Sequence, residues 1–326
     1  MGFTVTRPYV SVIMNCRNSS EFLREAIDSV FAQSFDNWEI VFWDNQSTDL
    51  SPEIAQSYRT EEDSGKQILR YFRAAEPAPL GLARNLAIKK ARGDLVAFLD
   101  CDDLWAPDKL ARQVELFQAN PALGLVCTDT KIVKGEETLS LMFETARPFR
   151  GEVFAELIAA GWISMSSAVV SMKALNSLSH WFDPAFNVAE EADLFYRIAH
   201  DWELDYVDAP LTSWRVHGTN TTFAKFEQFA VETRQILAKL EKLYPGLPEE
   251  YPDLIPLLER RAVFQTAVAL WRQGKNRAAR QEISPHLFSG GGGVKFLAFW
   301  LLSWLPGSAF DALARVYLKL PKFLRR

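Results

Sequence analysis

The chain has 326 residues, 48% of them apolar and 13% aromatic, which supplies core material for one large or two modest domains and excludes disorder. A formal net charge of −5 gives no basic field for a duplex, so no nucleic-acid partner is expected. The three cysteines, Cys16, Cys101 and Cys127, lie in strand-like runs without metal or disulfide spacing, the pattern of a reduced, cytoplasmic chain.

At the N-terminus, MGFTVTRPYV has no cationic segment leading into a long apolar one, so no secretory signal is expected. Gly2 and Thr6 fit the loose N-myristoylation pattern, while a plain lead-in to the first strand accounts for the same residues. YVSVIMNC is continuous and β-branched, as in a strand covered on both faces. SSEFLREAIDSVFAQ then sets Phe22, Ala26, Ile27, Val30 and Phe31 at helical spacing behind a cap at Ser19 or Ser20. NWEIVFWD reads as a second strand, and SPEIAQSY as a helix with Ser51 as cap and Pro52 in its first turn. QILRYF is a third strand, GLARNLAIKKARG a helix with a glycine stop, DLVAFLD a fourth strand, APDKLARQVELF a helix and GLVCTDTKIV a further strand. Strands alternating with helices predict an α/β fold: a doubly wound, mostly parallel sheet with helices on both faces.

Beyond residue 222 the pattern turns helical. FAKFEQFAVETRQILAKLEKLY is long and amphipathic, and LIPLLERRAVFQTAVALWRQGKNRAARQEI reads as a hairpin turning near Gly274, with no second copy to make a repeat. SGGGG, from Ser289 to Gly293, is a joint. VKFLAFWLLSWL is apolar nearly all round, falls short of the roughly 18–20 residues that span a bilayer, and stops at Pro306-Gly307. SAFDALARVYLKL opens with a capping box, Ser308 with Asp311, and puts Phe310, Leu313, Val316, Tyr317 and Leu320 on one face before the basic end PKFLRR. This tail predicts a peripheral contact with an anionic membrane surface, docking on the protein's own core being the alternative. The expected divisions are a catalytic domain at 1–222, a helical extension at 223–288, and a Gly-rich joint with an apolar, basic tail at 289–326.

FLDCDDLW, from Phe98 to Trp105, ends an apolar strand on three aspartates. In open α/β sheets, ligands bind at the carboxyl ends of the strands, where Asp44 and Asp100 both fall. Residues two apart in extended chain share a side, so Asp100 and Asp102 face one cleft with Cys101 turned away. Two hard oxygen donors there suit Mg2+ or Mn2+, which usually also hold substrate phosphates. Asp103 is expected to cap the following helix.

The stretches VSVIMNCRNSSEFLREAIDSVFAQSFDNWEIVFWDNQSTD and GLARNLAIKKARGDLVAFLDCDD resemble the family 2 glycosyltransferases of GT-A fold, bacterial surface-glycan type. The resemblance continues through WFDPAFNVAEEADLFYRI and SWRVHGTN, and so covers about the first 220 residues. It implies an inverting, metal-dependent, hexosyltransferase-like enzyme that takes a sugar from a nucleotide-diphosphate donor to a glycan or lipid-linked acceptor, at the inner face of the cell membrane. Asp44 matches the aspartate that contacts the nucleobase, Arg84 and Asn85 the pair near base and ribose, Asp100 the ribose contact, and Asp102 the metal carboxylate. His217 matches a histidine beside metal and diphosphate. Glu191 stands where the family has its aspartate base, with Glu190 the alternative. Asp193 and Arg197, four apart on a helix, fit a structural pair. His180, His200 and His286 have no comparable context. Trp162, Trp181, Phe182 and Trp214 fall where the family shapes its acceptor site. One departure is Arg17, which replaces the aromatic residue near the base; its guanidinium can stack on a base or reach phosphate. A UDP-sugar is the first expectation, with thymidine and guanosine diphosphate sugars as alternatives. A nucleotidyltransferase and a non-catalytic sugar-nucleotide binder are the competing readings.

Overall fold

The computed structural model describes residues 7–59, 67–218, 226–287 and 293–307. The Gly2 and Thr6 pattern, most of the Gly-rich joint and the basic amphipathic segment from Ser308 onward lie outside the described residues. The chain divides into two units, Met1–His217 and Gly218–Arg326.

In the first unit, β1 (Val10–Cys16), β2 (Trp38–Asp44), β3 (Ile68–Arg73) and β4 (Leu95–Phe98) lie parallel in the order β3-β2-β1-β4. Every residue of β2 is buried, which is why its apolar run is continuous rather than alternating. One face packs Val12, Met14, Ile40 and Phe42 against Leu23, Ile27 and Val30 of α1 (Leu23–Phe31) and Leu110 and Val114 of α4 (Lys109–Ala119). α2 (Ser51–Ser57) adds Ala55 to the same cluster. On the other face α3 (Leu80–Ile88) packs against β1 and β2, and Phe98 meets Phe182 edge-on. α3 ends at Ile88 with Lys89 as its C-cap, short of the expected glycine stop; Gly93 instead sits where a Cβ would come 2.6 Å from the Ser11 nitrogen.

Beyond β4 the sheet continues through β8 (Val169–Ser171), β6 (Leu123–Lys134) and β9 (Glu203–Arg215) to β5 (Leu104–Trp105), with β7 (Glu137–Leu141) on β6. β8 pairs antiparallel with both β4 and β6, and β6 pairs parallel with β9. β1, β2, β3, β4, β6 and β9 therefore run one way, and β5, β7 and β8 oppose them. The helices here are α5 (Met142–Thr145), α6 (Phe154–Ala160), α7 (Met172–Ser177) and α8 (Glu190–Asp201).

The predicted caps are corrected by the structure. The Ser19 carbonyl, not a hydroxyl, receives the N–H groups of Phe22 and Leu23 at 3.2 and 3.1 Å. Ser51 is the first residue of α2, and its hydroxyl accepts the Ser19 N–H at 3.0 Å. Asp103 caps nothing, because α4 begins at Lys109 behind Asp108.

The second unit comprises α9 (Phe226–Leu243), α10 (Leu247–Glu250), α11 (Leu254–Arg272), α12 (Asn276–Ile283) and α13 (Gly293–Leu302). Gly274, at φ +76°, turns α11 into α12, as the hairpin pattern predicts. Ala267, Val268, Trp271, Ala279 and Ile283 form a core with Phe296 and Phe299 of α13. The run Val294–Leu305 is thus docked by one face on its own unit rather than equivalent all round. Among the described residues no helix is long and apolar enough to cross a membrane.

Candidate active site

The tips of β1 and β2 carry two loops latched by side chains. The N–H groups of Asn18, Ser19 and Ser20 donate to Ser47 Oγ, Ser51 Oγ and Asp49 Oδ2 at 3.1, 3.0 and 2.9 Å. Asn18 Oδ1 accepts the Thr48 N–H at 2.8 Å, with Asn18 at φ +58°, a conformation asparagine tolerates. Arg17 stands exposed on this rim. Asp44, at the β2 tip, is fully buried; it accepts the Ser47 N–H at 2.7 Å and the Tyr71 hydroxyl at 2.7 Å, with Arg73 Nε at 3.8 Å.

The tip of β4 differs. Asp100 and Asp102 keep 42% and 29% of their side chains exposed, while Cys101 is buried and donates to the Asn15 carbonyl at 3.3 Å. The predicted alternation is therefore met through a turn, closed by the Asp103 N–H on the Asp100 carbonyl at 3.1 Å. Partial burial and then the neighbouring Asp100 charge push the Asp102 carboxyl above the usual range. His217 Nε2 hydrogen-bonds Asp102 Oδ2 at 2.9 Å, and its ring lies 4.8 Å from that of Phe22. Asp103 is buried; it takes the Ser166 hydroxyl at 2.5 Å and the Arg215 N–H at 3.2 Å. Ser166 also accepts the Asp100 N–H at 3.1 Å, and its carbonyl accepts Trp105 Nε1 at 2.7 Å. It joins the acidic turn to β5 and β9, and no motif in the sequence marks it.

Arg84 of α3 links this tip to α8. Its guanidinium bonds Asp100 Oδ1 at 3.0 Å and Glu190 Oε1, and lies 5.5 Å over the Phe182 ring. Burial opposes its charge, and Asp100, Glu190 and Glu191 more than restore it. Glu190 is buried in this pair, and its Oε2 has no partner among the described residues. Glu191 is half-buried, and desolvation followed by the Glu190 charge pushes its carboxyl up to about 8. Of the two expected bases, Glu190 is tied down and Glu191 holds a proton that it can exchange near neutral pH.

Asn85, expected beside base and ribose, instead clamps the Phe182 backbone: its Nδ2 donates to the carbonyl at 2.8 Å and its Oδ1 accepts the N–H at 3.0 Å. Both ends of the amide are thereby occupied. The Asp193–Arg197 pair, at 2.7 Å, holds the same loop, with Arg197 donating to the carbonyls of His180 and Trp181. Trp162 and Phe182 are core residues, whereas Trp181 and Trp214 are half-buried.

Asp102 and His217 offer an oxygen and a nitrogen at hydrogen-bond separation beside a second carboxylate, a donor set that Mn2+ or Mg2+ accepts. Among the described residues no three His, Cys, Asp or Glu side chains form a ready cage, so phosphate oxygens of a ligand would complete the shell.

A family model described as Glycosyl transferase family 2 matches residues 11–177. An uncharacterized glycosyltransferase of Nostoc sp. is 30% identical over 216 residues, 65% of this chain and 66% of its own length. One of Rickettsia felis is 28% identical over 68% of this chain and 35% of its own. A putative teichuronic acid biosynthesis glycosyltransferase of Bacillus subtilis is 36% identical over 33% of this chain and 42% of its own. The match thus spans two thirds or less of each of these relatives. Among solved structures, the mannosyltransferase PcManGT of Pyrobaculum calidifontis in complex with GDP-Man and Mn2+ aligns with TM-score 0.60 and 21% identity, over 96% of this chain and 85% of that one. S. aureus TarS 1-349 in complex with UDP-GlcNAc aligns with TM-score 0.58 and 18% identity, over 90% and 79%. At such identities the likeness carries the fold, which is GT-A. With its family model matching just over half of the sequence, the chain belongs to glycosyltransferase family 2.

Proposed function

We propose that the chain is an inverting glycosyltransferase that moves a sugar from a nucleotide-diphosphate donor to a hydroxyl of a glycan or lipid-linked saccharide. What carries this reading is Arg84, which joins Asp100, at the sugar-donor end, to the Glu190–Glu191 pair at the start of α8. Asp44 and Arg17 line the nucleotide end and Asp100 meets the ribose. When bound, a divalent ion held by Asp102 and His217 supplies the charge that the departing diphosphate needs. Glu191 takes the proton from the acceptor hydroxyl, and Arg84 keeps Glu190 from competing for it. One base acting from the far side of the anomeric carbon gives inversion, unlike the paired carboxylates of a glycosidase. UDP-GlcNAc and GDP-Man in the structural relatives support a UDP- or GDP-sugar. The acceptor places the enzyme at the inner face of the cell membrane, with the C-terminal segment as the contact.

A nucleotidyltransferase would hold a triphosphate on free backbone N–H groups after β1. Those of Asn18, Ser19 and Ser20 are already bonded to side chains, which disfavours it. The test is a screen of nucleotide sugars for hydrolysis, with and without Mn2+. Metal-stimulated release of one nucleoside diphosphate is expected; cleavage of none, or of triphosphates only, would overturn the reading.

A further inference from the structure

The second unit carries a patch that sugar transfer does not use. Phe296 and Phe299 of α13 are buried with Trp271 and Ile283, but Leu297, Leu301, Leu302, Trp304 and Leu305 stay between 38% and 63% exposed. Leu297 and Leu301 lie four apart on one face of α13, and Trp304 and Leu305 lie in the turn that follows it. Isolated exposed leucines are ordinary, whereas five large apolar side chains within nine residues form a patch that marks a docking surface.

The patch is held in shape. Trp271 Nε1 donates to the Leu305 carbonyl at 2.9 Å, and Arg280 Nη1 to the Ser303 carbonyl at 2.7 Å. Its edge is cationic: the Arg280 guanidinium lies 4.0 Å over the Trp304 ring, and exposed Lys295 lies 4.4 Å over Phe264. Charge is divided in the same sense along the sequence. Residues 218–326 hold 16 Lys and Arg against nine Asp and Glu, while residues 1–217 hold 20 against 32. A second copy of so positive a unit would be repelled, and an anionic surface attracted.

We infer that this ridge docks on a membrane surface bearing anionic phosphate headgroups. Leu297, Leu301, Leu302 and Leu305 enter the acyl boundary, Trp304 sits at headgroup depth with its polar edge toward water, and Lys295 and Arg280 meet the phosphates. The inference deepens the membrane contact proposed above and rests on that reading, now assigned to the outward face of α13 and the turn after it rather than to the whole tail.

The test is co-sedimentation of the full chain with phosphatidylglycerol–phosphatidylcholine vesicles and with phosphatidylcholine alone. It is repeated for the Leu301→Glu/Trp304→Glu double variant and for Leu297→Glu. The wild type should bind the anionic vesicles, more weakly at high salt, and the double variant should lose at least about tenfold in partition. Melting temperature should be retained in all three proteins, and Leu297→Glu guards against a folding defect confined to the double variant. Equal binding by the variants, no binding by the wild type, or indifference to phosphatidylglycerol would overturn the inference. So would a wild-type dimer that the double variant dissolves, since the occupant would then be a second copy. Donor hydrolysis, followed in the same samples, reports on the enzymatic reading separately.

Discussion

Two strand tips of one sheet present aspartate in opposite states. At β2, Asp44 is fully buried and takes hydrogen bonds from Ser47 and Tyr71 at 2.7 Å each, with a cation, Arg73, at 3.8 Å. At β4, Asp100 and Asp102 are partly exposed, repel one another, and share between them Arg84 and His217. The chain satisfies the first carboxylate itself and leaves the second pair with surplus negative charge. At a strand end, surplus acceptor capacity therefore draws a cation, whereas a carboxylate met by its own neighbours, such as Asp44, is held in a fixed orientation for at most a further hydrogen bond from a ligand.

The sharpest way to break this contrast is Asp102→Asn. Transfer should fall by about 10³-fold or more, the several kcal/mol that a bound cation supplies. The melting midpoint should not fall, because a repelled charge has been removed. Near-normal activity in metal-containing buffer would dissolve the distinction between the tips. Glu191→Gln comes next, with turnover cut by roughly 10²- to 10⁴-fold and sugar-donor affinity little changed. A dead Glu190→Gln beside an active Glu191→Gln would move the base by one residue.

The pH dependence follows from the same group. The Glu191 carboxyl is raised from 4.5 to about 8, so across that window the folded protein holds a proton that the unfolded chain has lost. Stability attributable to Glu191 is present below the lower value and declines as pH rises to about 8, while transfer rises over the same range. Melting midpoints across this window should fall less steeply in Glu191→Gln than in the wild type; identical slopes would remove the assignment.

Asp44→Asn should show the opposite signature to Asp102→Asn. Its new amide N–H faces donors, at a cost of about 1–3 kcal/mol in the denaturant midpoint. An unchanged midpoint would mean that Asp44 is not the satisfied carboxylate described above. The smallest effect is expected from Asn85→Ala, which frees one end of the Phe182 loop and should cost about 1 kcal/mol in chemical denaturation. A large rise in sugar-donor KM with no loss of stability would restore Asn85 to the ligand.

The parallel half of the sheet was legible because β1 and β2 are continuous apolar runs, a pattern with few alternatives. β8, three residues long, and β5, two, are too short to carry a period. β9 carries no clear strand signature, because its inner and outer residues are both mixed in polarity and Pro210 interrupts it. In the site, the acidic turn and Arg84 stood out by residue type and spacing. Ser166 did not, since its role arises from bonds to residues about sixty positions earlier, such as Asp103 and Asp100. The clamp of Asn85 on the Phe182 backbone is hidden for the same reason: sequence identifies an amide but not the partner that folding brings to it.

Arg84 has one positive charge and two carboxylates drawing on it. A sugar donor arriving with its cation would relieve Asp100 of that demand and leave the guanidinium to Glu190. Asp100 and Glu190 both hold the Glu191 proton in place and Arg84 loosens it, so each change lowers the acidity threshold of Glu191. On the reading proposed above, the base would be armed by the donor's arrival and idle before it, so donor hydrolysis without acceptor would proceed through the same group. On that reading, sequential addition, donor ahead of acceptor, would be timed by a single side chain. Its kinetic signature is a nucleotide product that competes with the donor alone.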